Sequence, residues 1–428
     1  MINRLPDTQD LTNPGGAVVT NCVVSGDPTD RWLSRCRYGS EIVMCAAVPD
    51  RLVAVGVEEE FHIVDVATRR LTGQADRLVG QLPAGGFSPE LQRSVLEANS
   101  RPWVTLADLA GDLAALRQAA VAAAEPLGLG VVAAGTVPLA DPDTVQVTAD
   151  ARYEHMRGEY RMLAREQLIC GTQVHVDVAD RDLAVAVARR VAPWLPALLA
   201  LSASSPFWLG TDTGYASYRT LIWRRWPTAG VWPGFASAEE YDQTVADLVR
   251  SGVITDPGMI YFDMRPSAHL PTLELRIADS CPLLEDVILL TGLFRALVIR
   301  ETAAALADAP LVPVRPELLR AATWRAAQAG LHGDLVDPIT GTPQPAGRLL
   351  GQLVSDLRPA LESTGDWDLI TDLTTTALTR GDSATRQRAA HASHGIRHVV
   401  DTLITETRAT PSWLRSGGPA AVTVGAAR

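Results

Sequence analysis

The chain has 428 residues, of which 47% are hydrophobic, enough to bury one large core or two. A formal net charge of -11, with no Lys/Arg block interleaved with aromatics, excludes a nucleic-acid footprint. Five irregularly spaced cysteines (Cys22, Cys36, Cys45, Cys170, Cys281) set neither a disulfide framework nor a zinc knuckle, and no signal peptide opens the chain, so cytoplasm is expected.

Residues 1–50 lack periodicity and carry Gly-Gly, Gly-Asp-Pro and Asn-Pro punctuation. They read as a poorly structured extension, with Met44 a candidate start for the chain proper. The first strand is "VGVEEEFHIVD", Val55 to Asp65. Strand alternation puts Glu58, Glu60 and His62 on one face and Val55, Val57, Phe61 and Ile63 on the other, where Glu59 intrudes. Two carboxylates one step apart repel unless solvent or a cation relieves them. The plain alternative is an edge strand with a wetted polar face.

In "SPELQRSVLEANS", Ser88 as N-cap, Pro89 at the first helical position and Glu90 in the first turn predict a helix that carries Glu97. A second helix is expected over Thr105 to Glu125, capped by Thr105 with Asp108 and striped by Leu106, Leu109, Leu113 and Leu116. "GLGVVAAGTVPL" follows as a strand and turn. "GTQVHVDV", "IYFDMRP" and "PTLELRIAD" repeat the opening pattern, a greasy face opposite Gln173, His175 and Asp177, then Tyr261, Asp263 and Arg265, then Glu274 and Arg276. Four such strands are expected to form one curved sheet lining a polar cavity.

Val185 to Leu209 is the most apolar long stretch, but its arginines and prolines make it a buried helix and exit, and no membrane contact is expected. Trp208 to Phe235 holds four of the ten tryptophans without a period and reads as a pocket-lining loop. From about residue 316 the chain is mostly helical. One helix ends at Gly330, others cover Leu349–Leu361 and Leu369–Leu378, and a long one runs over Asp382–Thr407, ahead of a tail at 411–428.

The chemistry follows from the wet faces. Mg²⁺ takes oxygen ligands, which Glu58, Glu60, Glu97 and Glu274 supply, and His175 fits Mn²⁺ better than Mg²⁺. Arg219, Arg265 and Arg276 are candidates to hold phosphate or carboxylate through paired hydrogen bonds. No GxxxxGK[ST] loop, dinucleotide fingerprint or nucleophile elbow competes with this set.

These segments, with "SVLEAN", "SPFWLGTDTGYASYR", "RRWPTAG" and "ATRQRAA", resemble the glutamate–cysteine ligase type 2 family, in its carboxylate–amine ligase branch, from about Val55 to Thr407. The resemblance implies an α+β fold like the catalytic domain of glutamine synthetase and guanido kinases, a curved antiparallel β-sheet funnel wrapped by helices, over residues 51–410. It implies ATP, two or three Mg²⁺ with Mn²⁺ as a substitute, and small-molecule carboxylate and amine substrates. A homodimer is the assembly left open. Glu58, Glu60, Glu97, His175 and Glu274 would lie at the metals, and Glu58 with Arg276 and Arg219 at the nucleotide. Arg276 would face the transferring phosphoryl group, with Arg265 and Arg219 on phosphate or substrate.

The implied reaction joins a carboxylate to an amine through an acyl phosphate, nominally L-glutamate to L-cysteine. A different acid and amine, a phosphotransferase of the same superfold and a non-catalytic scaffold are the rivals. Two departures stand out. Val137 replaces a histidine common in relatives, and Asn99-Ser100 replaces an apolar residue and threonine; neither is expected to touch the metals.

Overall fold

The computed structural model describes residues 53–144 and 146–415, and the backbone of an antiparallel hairpin pairing Leu33–Tyr38 with Glu41–Ala46. That hairpin belongs to a separate unit, Met1–Ala47, and the remainder is one unit. The other residues of the 1–50 extension, and 416–428 of the tail, lie outside the described residues.

One sheet organises the larger unit. Its strands are β1 (Val55–Asp65), β2 (Phe87–Pro89), β3 (Val95–Asn99), β4 (Leu129–Val132), β5 (Thr172–Asp177), β6 (Met264–Pro266) and β7 (Thr272–Leu275). The order is β6-β7-β5-β1-β3-β2, with β4 joining the end of β1 over His62–Asp65. Every pair is antiparallel. The strands expected to share a sheet do so, and register sets Glu60 opposite Glu97, and Glu274 opposite both His175 and Arg265.

The other face is the core. Val55, Val57, Val174, Val176, Leu273 and Leu275 pack on the helices Leu106–Ala124, Arg181–Val191, Leu195–Ser202 and Leu284–Leu306. Thr105 caps the first of these as expected, accepting the Asp108 N–H. Among the described residues, Arg181–Ser202 alone is long and apolar enough to cross a membrane, and it lies mostly buried in this core.

Glu59, the intruder on the apolar face, is fully buried. Arg117 of the Leu106–Ala124 helix meets it with two hydrogen bonds, Nε to Oε2 at 3.1 Å and Nη2 to Oε1 at 2.5 Å. The same guanidinium donates to the carbonyls of Pro282 (2.6 Å) and Cys281 (2.8 Å). A buried charge without such partners would be prohibitive.

Three expectations are corrected. "SPELQRSVLEANS" forms β2 and β3 rather than a helix, so Glu97 is strand-borne. The alternation Val95, Glu97, Asn99 against buried Leu96 and Ala98 outweighs the cap signal, and Pro89 is tolerated because β2 is the sheet edge. Leu349–Leu361 is two helices, Ala346–Asp356 and Arg358–Thr364, divided where Pro359 cannot extend the hydrogen-bond ladder. Asp382–Thr407 is likewise two, Ser383–His394 and Ile396–Arg408, parted at Gly395 with φ 81°.

Replacing Arg117 with methionine strands the Glu59 carboxylate in the core. We expect a loss of about 3–5 kcal/mol in urea unfolding. Unchanged stability would show that the pair is dispensable.

Candidate active site

The polar faces of β1, β3, β5, β6 and β7 converge on a cavity of about 320 Å³. All eight residues singled out in the sequence line it: Glu58, Glu60, Glu97, His175, Arg219, Arg265, Glu274 and Arg276.

Two clusters of ligand-type atoms share the cavity. In the first, Glu58, His175 and Glu274 bring one atom each within 4.8 Å of one another. Thr272 Oγ1, 2.9 Å from His175 Nδ1, fixes the ring so that Nε2 lies 3.2 Å from Glu58 Oε1. That nitrogen is buried and turned toward the Glu58 carboxylate. Burial opposes a charge on His175, but the Glu58 and Glu274 carboxylates outweigh it and raise the pKa.

The second cluster joins Glu60, Glu97 and Glu90, again within 4.8 Å. Glu60 accepts from Gly171 N (2.6 Å) and Gln173 Nε2 (3.1 Å), and Glu97 from Ser88 Oγ (2.9 Å) and Asn99 Nδ2 (3.0 Å). Burial raises the pKa of all three carboxyls, and for Glu90 the charges of Glu97 and Glu60 add to it. Two carboxylates with an imidazole, and three carboxylates without a guanidinium hydrogen-bonded to them, both fit a hard divalent cation. The convergence of the buried His175 ring with Glu58 and Glu274 supports that fit in the first cluster.

Three arginines line the same cavity. Arg265 clasps Glu274 through Nε at 2.8 Å and anchors Nη1 on the carbonyls of Gly258 and Ile260 at 2.9 and 2.7 Å. Arg276 contacts the same carboxylate and also donates to Gln173 Oε1 at 2.5 Å. Burial works to raise the Glu274 pKa, yet Arg276, Arg265 and His175 hold it down to about 2. Arg219 donates to the carbonyls of Ile277 and Arg276 at 3.2 and 3.3 Å. It lies so close over Gly171 that a Cβ there would sit 2.3 Å from Nη2, so a larger residue at 171 would push this guanidinium aside.

Glu90 escaped the sequence reading because the helix assigned to "SPELQ" pointed it elsewhere, and no local spacing marks it. Gln173 shares the His175 face, and that alternation was its only signal. Asn99 corrects an expectation: its amide holds Glu97, so this departure does reach the candidate metal site. Val137 is buried in a separate apolar cluster and does not line the cavity. Of the Trp208–Phe235 segment, Arg219, Trp223 and Trp226 line the cavity, while Trp232 and Phe235 belong to the core. The segment is no simple loop, because Tyr218–Trp223 is helical.

A helix-wrapped antiparallel sheet of this form is shared with solved structures. The structure of a glutamate–cysteine ligase from Francisella tularensis in complex with AMP matches with a TM-score of 0.64 at 12% identity, over 85% of this chain and 91% of that one. A bifunctional glutathione synthetase from Pasteurella multocida matches with a TM-score of 0.63 at 15% identity, over 83% of this chain and 52% of its own. Sequence carries the relation further. The pattern of glutamate–cysteine ligase family 2 matches residues 54–401, and the chain belongs to that family. A Frankia alni protein provisionally named glutamate–cysteine ligase 2-3 is 58% identical over 362 residues, 84% of this chain but 42% of that protein. This chain therefore spans less than half of that relative's length. A Mycolicibacterium smegmatis protein, provisionally glutamate–cysteine ligase 2-2, is 53% identical over 82% of this chain and 89% of its own.

Calorimetric titration with Mn²⁺ tests the cation fit without any substrate. Removing a ligand by Glu58→Gln should weaken binding at least about tenfold. Equal affinity in wild type and variant would exclude Glu58 as a ligand.

Proposed function

We propose that the protein is an ATP-dependent carboxylate–amine ligase. The observation that carries this reading is one cavity in which two carboxylate clusters lie beside Arg219, Arg265 and Arg276. Family membership supports it. In the overall reaction an acid's carboxylate oxygen attacks the γ-phosphorus of ATP and ADP leaves. The amine nitrogen then attacks the acyl carbon, phosphate departs and the nitrogen loses its proton.

The chain's part is electrostatic and positional. Glu58, His175 and Glu274 are read as one cation site, and Glu60, Glu90 and Glu97 as a second. Divalent cations bound there supply the charge that lets a carboxylate approach a polyphosphate. Arg276 is read as the group facing the transferring phosphoryl, its planar fork preset by Glu274 and Gln173. Arg265 holds Glu274 in place from the other side, and Arg219 contacts phosphate or the acid. Glutamate and cysteine are the nominal substrates, and cytoplasm the expected compartment.

The direct test is a pairwise screen of amino acids and amines for ADP release, with mass detection of the coupled product. ADP release that requires both organic substrates and yields an amide is the expected result. Phosphate transferred to one substrate without coupling would identify a phosphotransferase instead.

Glu274→Gln should abolish ADP release in a protein that remains folded by circular dichroism; full turnover at saturating Mg²⁺ removes Glu274 from the metal site. Arg276→Lys keeps the charge but loses the fork, and kcat should fall about 100-fold or more. A kcat near wild type would take Arg276 out of phosphoryl transfer.

A further inference from the structure

The run Ala384–Arg388, "ATRQR", has no part in the reaction above. It lies on the Ser383–His394 helix, none of whose residues lines the cavity. Its hydrogen bonds nevertheless lead there. Gln387 is buried and donates from Nε2 to the Ser204 carbonyl at 2.7 Å. The Ser204 N–H donates to Asp279 Oδ2 at 3.0 Å, and its hydroxyl bridges the Ser280 carbonyl (2.6 Å) and the Gly135 N–H (2.8 Å). Ser205 Oγ donates to the same Asp279 oxygen at 2.7 Å and accepts the Arg219 N–H at 3.0 Å. Ser217 Oγ reaches Asp279 Oδ1 at 2.8 Å.

Asp279 thus ties two segments together where the Tyr218–Trp223 helix begins. Arg388 closes the assembly from outside. It grips Asp212 with two hydrogen bonds at 2.9 and 2.8 Å and the Tyr215 carbonyl at 2.9 Å. The Arg219 side chain itself is held lightly, by two long hydrogen bonds to carbonyls, with Nε unpartnered and Asp279 3.9 Å away. Where its guanidinium points is therefore decided by where its helix starts.

We propose that the ATRQR helix is a positioning element for Arg219. Gln387 acts as a positioning residue through the Ser204–Asp279–Ser205–Ser217 network, and Arg388 through Asp212 and the Tyr215 carbonyl, two residues before Ser217. The proposal rests on the ligase reading only in so far as Arg219 handles phosphate or the acid. A role confined to stability would make their loss add to any other defect. A role exercised through Arg219 makes the two losses coincide.

The test combines Gln387→Ala and the milder, partly exposed Arg388→Ala with Arg219→Ala, in the full chain labelled with 5-fluorotryptophan. Arg219 Cζ stands 5.8 Å from the Trp223 ring centroid, so the Trp223 fluorine resonance, assigned with Trp223→Phe, reports on Arg219 without turnover. Each single variant should lower kcat for ADP release at least about tenfold with little change in KM. Neither should lower it further in an Arg219→Ala background, and both should shift the Trp223 resonance. Losses that add to that of Arg219→Ala, or a Trp223 resonance unmoved in both variants, overturn the proposal. A wild-type chain that releases no ADP under any condition sinks the ligase reading, and the fluorine measurement alone then decides this one.

Discussion

Repulsion among half-buried and buried carboxylates is the constraint around which the larger unit is arranged. Glu58, Glu60, Glu90, Glu97 and Glu274 share one cavity, and burial alone would push Glu60, Glu90, Glu97 and Glu274 toward holding protons. They divide into two electrostatic regimes. Glu274 sits between Arg265 and Arg276 and stays ionised, whereas Glu60, Glu90 and Glu97 receive only neutral donors and are pushed upward. Glu274 is held ionised by neighbouring guanidinium groups, while Glu60 has only the longer-range pull of Arg219 and Arg276 against its burial.

The sheet makes this crowding possible. In an antiparallel ladder, directly opposed residues bring their side chains close on the same face. Here that rule sets Glu60 against Glu97 and Glu274 against His175. Helices could not place five carboxylates so densely without bringing several core faces together. The helices instead fill the back of the sheet and deliver single residues, such as Arg219, through their ends.

Much of this was legible in sequence because strand alternation is a local property. The faces carrying Glu58, His175 and Glu274 could be read from period alone, since His175 and Glu274 stand opposite rows of Val, Leu or Ile and Glu58 opposite an apolar row interrupted once, by Glu59. Whether those faces meet is a matter of pairing order, which no single segment encodes. Glu97 was found but given the wrong element, because Ser88 and Pro89 imitate a helix start while serving as an edge strand. Glu90 was missed for the same reason. The breaks at Pro359 and Gly395 had local signals that the apolar stripes obscured. The contacts of Gln387 had none, as they join residues 183 positions apart.

The Glu59–Arg117 pair also fixes the register of β1. Glu59 lies between two cavity glutamates and faces the opposite way, so β1 carries acid on both sides at successive positions. Sliding the strand by one residue would drive Glu58 and Glu60 into hydrocarbon and expose Glu59 to the cavity, orphaning Arg117. A three-glutamate run, which looks ambiguous on paper, therefore acts as a ratchet tooth that admits a single alignment.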